Sequence, residues 1–160
     1  MDTRKKDRKE LGFYRARLDD TDVLYKVIDE EKFPRAIYQL IQALKNPDIY
    51  IMVSDADDAI IIYEPAYGMV PWLNTHSHTL KSARGRKLKE LYWKTGCWIF
   101  ENTRYTAITC VIPEDFRHHG IFLGAIGATR QFEVDGTVMY TWDIETQYEQ
   151  VKEKLKCLKD

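Results

Sequence analysis

The sequence predicts one α/β domain built on a sheet of mixed direction, and three observations point there. Two apolar runs rich in β-branched and aromatic residues, DIYIMVS at 48–54 and AIIIYE at 59–64, flank the four residues DADD, which is the pattern of a hairpin. A helical period from Arg84 to about Asn102 is framed by the alternating WLNTHSHTL at 72–80 and the nearly continuous apolar YTAITCVI at 105–112. The chain has 160 residues, of which 44% are hydrophobic and 12% aromatic, enough for one domain with a real core.

The elements follow in order. Residues 1–10 hold five Lys or Arg and three acids and read as a solvated N-terminal arm. GFYRARL at 12–18 alternates as a strand. Asp20 or Thr21 then caps a helix with Leu24, Val27 and Ile28 on one face. Pro34 suits the first turn of a second helix, whose stripe is Ile37, Leu40, Ile41 and Leu44, and Asn46–Pro47 ends it. After the hairpin, Pro65, Gly68 and Pro71 break the chain before the 72–80 strand. The next helix shows Leu88, Leu91, Tyr92, Thr95, Trp98 and Ile99, widened by Trp93, Cys97 and Phe100, a face broad enough to lie on a sheet. The 105–112 strand reads as buried on both faces, and Pro113 stops it. EDFRHHGIFLGAIGATRQF at 114–132 reads as a helix loosened by three glycines. Asp135–Gly136 is a tight turn, TVMYTWDI at 137–144 a strand, and the tail from Thr146 a helix with a narrow stripe of Tyr148, Val151, Leu155 and Leu158. The order is β, α, α, β, β, β, α, β, α, β, β, α. The domain proper spans 11–144 and the C-terminal amphipathic helix 145–160.

Several function classes fall away. The formal net charge of -1 gives no global attraction to nucleic acid or membrane, and no apolar run is long enough to span a bilayer. Cys97, Cys110 and Cys157 are odd in number and widely spaced, as expected of reduced thiols in a cytosol, two of them in the core.

HSHTLKSARGRKLKELYWKTG, residues 76–96, is the stretch that carries chemistry. A strand, a glycine-bearing turn and a helix start leave free backbone N–H groups facing the positive end of a helix dipole, which together bind anions. Ser82 can cap, Gly85 allows close backbone approach, and Lys81, Arg84, Arg86 and Lys87 add positive charge. A phosphate-bearing ligand such as coenzyme A fits this chemistry; the alternative is a solvated cationic helix start. His76 and His78 project from one face of a strand and have the intrinsic pKa of a general base, or they are surface histidines without chemistry. An H-x-H strand needs a third ligand to hold zinc, and nothing places His118 and His119 nearby, so no metal is expected. Nucleic acid is not expected either, because Tyr92 and Trp93 belong to a helix face rather than a stacking platform.

The strand, R-G turn, long helix, buried strand ending V-x-P, glycine-bearing helix and D-G hairpin resemble the GCN5-related N-acetyltransferases (GNAT), and more narrowly the small acetyltransferase-like proteins of tailed bacteriophages. HSHTLKSARGRKLKELYWKTGCWIFENT and YTAITCVIPEDFRHHGIFLGAIGATRQFEVDG carry the resemblance, which covers roughly residues 48–144. It implies a mixed, mostly antiparallel central sheet flanked by helices, here with an added C-terminal helix. It implies that Ser82, Ala83, Arg84, Gly85, Arg86 and Lys87 hold the pyrophosphate of acetyl-CoA, and that the backbone of a splayed Trp72–Leu80 strand receives the pantetheine arm. The chain departs from the family pattern where Lys87 replaces a small residue of the loop, where Asp115 stands for a helix-opening Asn, and at Gly127–Ala128 in place of Gly-Phe. The thiolate-protonating Tyr has no counterpart near Leu123 and Phe122.

The expected activity is transfer of acetyl to an unknown amine, with His76 or His78 as base, directly or through water. The rival expectation is a catalytically lapsed GNAT fold serving as a virion or head-assembly component of a phage. The charged arm and a C-terminal helix able to dock on phage proteins, or on a second copy, would suit that role. The expected location is the host cytoplasm, or the virion in the rival case.

Overall fold

A computed structural model describes residues 8–66 and 71–159. Its strands are β1 (Phe13–Arg15), β2 (Tyr50–Ser54), β3 (Ala59–Pro65), β4 (Trp72–Thr79), β5 (Ala107–Pro113), β6 (Thr129–Val134) and β7 (Thr137–Asp143). Its helices are α1 (Thr21–Val27), α2 (Ala36–Ala43), α3 (Arg86–Asn102), α4 (Arg117–Ile126) and α5 (Ile144–Lys159). The strands form one seven-stranded sheet in the order β1-β2-β3-β4-β5-β7-β6. The pairs β1–β2, β2–β3, β5–β7 and β6–β7 are antiparallel, and β4–β5 is parallel. The element order is the one read from the sequence. The chain divides into two compact units, Met1–Glu64 with His76–Leu91, and Pro65–Thr75 with Tyr92–Asp160.

In the first unit the hairpin is the center. Ile51 lies opposite Ile62 and Val53 opposite Ile60, so these four share a face and pack with Leu24, Val27 and Ile28 of the α1 segment and Ile37 and Leu40 of α2. Met52, Ile61 and Tyr63 are fully buried as well, so both faces of the hairpin are covered, as its unbroken apolar runs require. The two helices bury the stripes the sequence showed. Asp20 does not use its carboxylate to cap α1; that group accepts from the Arg17 N–H at 2.7 Å. β1 ends at Arg15, short of the expected 12–18 strand, because the chain turns into a 3-10 helix at Leu18–Asp20. Of the N-terminal arm, residues 1–7 lie outside the described residues. Residues 8–11 are helical, and the Arg8 guanidinium pairs with Asp57 while lying 4.2 Å over the Tyr14 ring.

The second unit is built on β5, paired with β7 from Ala107↔Asp143 to Pro113↔Thr137. The turn of the β6–β7 hairpin places Asp135 at φ 49 and Gly136 at φ 76, two consecutive left-handed residues, which is the geometry a D-G pair supplies. The helix expected over 114–132 ends at Ile126. Gly127 at φ 119 terminates it, and Thr129–Val134 is a strand whose six residues are all exposed. β5 is not buried throughout: Val111 is 57% exposed and Cys110 half-buried, so of the three thiols only Cys97 lies in the core. Asp143 opens α5, two residues before the expected start, by accepting from the Thr146 N–H at 3.1 Å and its hydroxyl at 2.8 Å. The first half of α5 packs on its own unit through Ile144, Val151 and the Tyr148–Phe100 ring contact at 4.9 Å, while Leu158 is exposed.

Gly96 allows α3 to lie close on the sheet, since a Cβ there would stand 2.5 Å from the Trp142 ring. Gly96→Ala is expected to destabilize the protein by about 1–3 kcal/mol through overpacking. A chemical-denaturation midpoint unchanged from wild type would refute the close approach.

Candidate functional site

The turn after β4 is held by a carboxylate. Asp58, at the end of the DADD turn, is 7% exposed. Its Oδ1 accepts from Ser54 Oγ at 2.6 Å and its Oδ2 from Ser82 Oγ at 3.3 Å. Its carbonyl accepts from the Leu80 N–H at 2.9 Å, and Ser54 Oγ in turn accepts from the N–H groups of Asp58 and Ala59, both at 3.0 Å. Ser82 therefore does not cap the following helix as expected. Its hydroxyl is drawn to a buried acceptor, and it sits in a 3-10 turn, Lys81–Ala83, with Ala83 buried.

Arg84, Gly85, Arg86 and Lys87 are all exposed, and α3 begins at Arg86 rather than Arg84. Gly85 has φ +72, and a Cβ built on it would meet nothing within 4 Å. The tip of α3 is thus open to solvent, neither plugged nor interior. The Gly85 carbonyl takes the Lys89 N–H at 3.0 Å, the first α-type bond of the helix, so the amides before it are the unsatisfied group of a helix start. Arg86 pairs with Glu90 at 3.0 Å. Among the described residues Lys81, Arg84 and Lys87 have no ion-pair partner.

His76 and His78 lie on one face of β4, as the spacing predicted, with ring centroids 6.1 Å apart at 82°. Their surroundings differ. Phe33 meets His78 edge-on at 5.1 Å, and burial lowers the His78 pKa to about 4, with His76 adding a smaller depression. His76 is exposed along part of its surface. Desolvation by the protein around it still lowers its pKa, and Glu64 opposes the shift. Both rings are accordingly neutral at pH 7. Cys97 and Cys110 are pushed up to about 11 by burial and are not activated nucleophiles.

In the second unit the β4–β5 ladder runs from Trp72↔Ala107 to Asn74↔Thr109. Thr75, the next residue after the ladder, has a buried hydroxyl without a partner. Leu123, where the family places a Tyr, is buried, and the neighboring Phe122 ring meets Tyr92 at 5.9 Å. The sequence reading missed an open hollow of about 880 Å³, lined among others by Ile112, Arg117, Gly120, Arg130, Val138 and Tyr140. Glu114 beside it has its pKa raised by a hydrogen bond with Glu133. Of the second histidine pair, His119 stacks on Phe116 at 5.2 Å. Among the described residues no three His, Cys, Asp or Glu side chains gather as metal ligands.

No family model and no curated protein sequence matches the chain. Solved structures do. The GNAT domain of the S. lividans protein PAT superposes with TM-score 0.65 at 12% identity, covering 82% of this chain and 89% of that one. The spermidine/spermine N-acetyltransferase SpeG from Vibrio cholerae gives 0.62 at 7%, covering 86% and 94%. The N-acetyltransferase PseH of Campylobacter jejuni gives 0.58 at 6%, covering 82% and 98%. The chain therefore has the GNAT fold, with its mixed, mostly antiparallel sheet and a C-terminal helix.

Two outcomes follow from the geometry. Asp58→Ala strands the Ser54 and Ser82 hydroxyls and is expected to cost about 1–3 kcal/mol, with Asp58→Asn costing less; equal melting points for wild type and both variants would refute the role of the carboxylate. His78 binds its proton less readily when folded than the ordinary value of 6.5, down to about 4, so its contribution is intact above 6.5 and is lost as pH falls toward 4. Wild type should lose more stability across that window than His78→Phe, measured as unfolding free energy against pH; parallel curves would contradict the burial effect.

Proposed function

We propose that this chain is an acetyl-CoA-dependent N-acetyltransferase acting on an amine. The single observation that carries the reading is the exposed tip of α3. In a chain with the GNAT fold, a glycine in left-handed conformation with open space around it directly precedes a helix start. It stands among three cations that have no ion-pair partner among the described residues.

The residues present fit the coenzyme. Amides at Gly85, Arg86 and Lys87, with the charges of Lys81, Arg84 and Lys87, would hold its pyrophosphate, and Ser82 and Ala83 would shape the turn beneath. The backbone of β4, by the resemblance to the GNAT family, would receive the pantetheine arm. When bound, the coenzyme supplies an acetyl group activated as a thioester. The chain's own part is to hold it and to relieve the acceptor of a proton, since an ammonium is not a nucleophile. His76 or His78, neutral at pH 7, can take that proton directly or through water.

The origin of the chain in a tailed phage and a role in virion assembly rest on sequence resemblance alone. The exposed Leu158 near the end of α5 would suit such assembly.

Millimolar acetyl-CoA should raise the melting temperature. At about 100-fold excess over Kd the stabilization is about 2.7 kcal/mol, or roughly 5–10 °C for a chain of this size. Gly85→Val forces a β-branched residue into the left-handed region at the tip and should abolish the rise, each variant being compared with its own ligand-free melting point. Absence of any rise in the wild type would end the coenzyme reading.

A further inference from the structure

Which histidine serves, and what kind of amine it serves, both turn on one face of the first unit. Ile60 and Ile62 of β3 point into the core beside α1 and α2, and Glu64, two residues further along the strand, shares their side. Glu64 is half-buried, and among the described residues its carboxylate has no ion-pair or hydrogen-bond partner. His76 and His78 stand on one face of β4, and Phe33, in the segment between α1 and α2, meets His78 edge-on at 5.1 Å. That contact turns the histidine face toward the same helices. Phe33 is 42% exposed, and Lys32 Nζ lies 5.5 Å over its ring. An aromatic wall of Phe33 and His78 thus stands next to a base, His76, and an unpartnered anion, Glu64.

We propose that these four side chains form the acceptor subsite, in which Glu64 receives the acceptor as a cation, an ammonium carried on an apolar or flat body, and His76 rather than His78 takes its proton. This deepens the acetyltransferase reading and rests on it. A half-buried carboxylate without a partner gains most from a cationic group, and the aromatic wall on the other side of His76 favors a hydrophobic or planar remainder.

In the proton transfer one N–H bond of the ammonium breaks and one forms at an imidazole nitrogen, so the positive charge passes from the acceptor to the ring. On His76 the charge arrives where Glu64 favors it; on His78 it arrives against Phe33, where burial depresses protonation and no carboxylate opposes it, with Lys32 nearby. Glu64 is therefore a positioning residue for the ring as well as the contact for the cation.

The test uses the full chain and imidazole NMR signals, with benzylamine as the cationic probe and benzyl alcohol as its uncharged counterpart. Benzylamine should perturb the His76 and His78 rings and benzyl alcohol should not. Glu64→Gln, an isosteric change, should weaken benzylamine about tenfold or more, lower the titration of His76 and leave that of His78 in place. In wild type, His76 should titrate above His78, a comparison that needs no variant. The inference is overturned if the two probes act alike, if Glu64→Gln leaves benzylamine binding unchanged, or if His78 titrates the higher. Acetyl-CoA thermal shifts on the same two proteins separate the two failures. A coenzyme shift preserved alongside any of those results sinks the subsite and spares the acetyltransferase reading. Selective benzylamine binding without a coenzyme shift does the reverse.

Discussion

The arrangement of the first unit depends on one buried carboxylate. Asp58 gathers three groups from two separate parts of the chain: its carboxylate takes the Ser54 hydroxyl at the end of β2 and the Ser82 hydroxyl in the turn after β4, and its backbone carbonyl takes the Leu80 amide. The hairpin that carries Asp58 is buried on both faces and cannot slide, because a shift of one residue would exchange its two apolar faces. The turn before α3 inherits that rigidity. The neighboring acid has the opposite assignment: Asp57, at φ 54, turns outward to the Tyr14 hydroxyl at 2.5 Å and to Arg8, and so ties the N-terminal helical turn to the hairpin. Two consecutive aspartates in a four-residue turn thus serve separate ends of the unit.

Periodicity makes most of this fold legible in the sequence. The hairpin, the α2 stripe and the broad α3 face are patterns of local burial, and local burial is what an apolar period records. The failures share a cause. Ser82 reads as a cap because caps are local, whereas its actual acceptor lies 24 residues earlier. Strand β6, TRQFEV, carries no apolar alternation because all six of its residues are exposed, so its partner β7 and the D-G turn alone reveal it. Gln147 was silent as well. Its Nε2 donates to the Gly127 carbonyl at 2.8 Å and its Oε1 accepts from Trp142 Nε1 at 3.2 Å, joining α5 to the end of α4. A polar residue in a helix gives no hint of two partners chosen by tertiary packing.

The candidate site divides along the same line. The open helix start after β4 was visible because a glycine among basic residues, between a strand and a helix, is a local signature. The difference between His76 and His78 was not visible, since strand alternation gives them identical status. Phe33 and Glu64, which distinguish them, approach from other elements. The sequence put both rings on one strand face, and only packing separates a ring against Phe33 from one beside a carboxylate.

The lysine at the end of the loop is the point where fold and chemistry meet in the proposed reading. A long side chain in place of a small residue would crowd a diphosphate if it were folded over the tip. Lys87 is exposed instead, and the backbone at Gly85 has free space around it, so nothing forces that side chain across the amides. Arg86, one residue earlier, is drawn to Glu90, and its charge is to that extent committed within the helix. In that reading Lys87 would supply beside the tip an exposed charge of the kind that Arg86 has committed to Glu90. An ammonium on a flexible stem neutralizes phosphate as a point charge without the fixed geometry of a guanidinium. On that argument the departure from the family loop replaces close backbone contact with electrostatic attraction. It would make coenzyme binding at this tip more sensitive to salt than a glycine or alanine at the same position would, because attraction between exposed charges is what ionic strength screens.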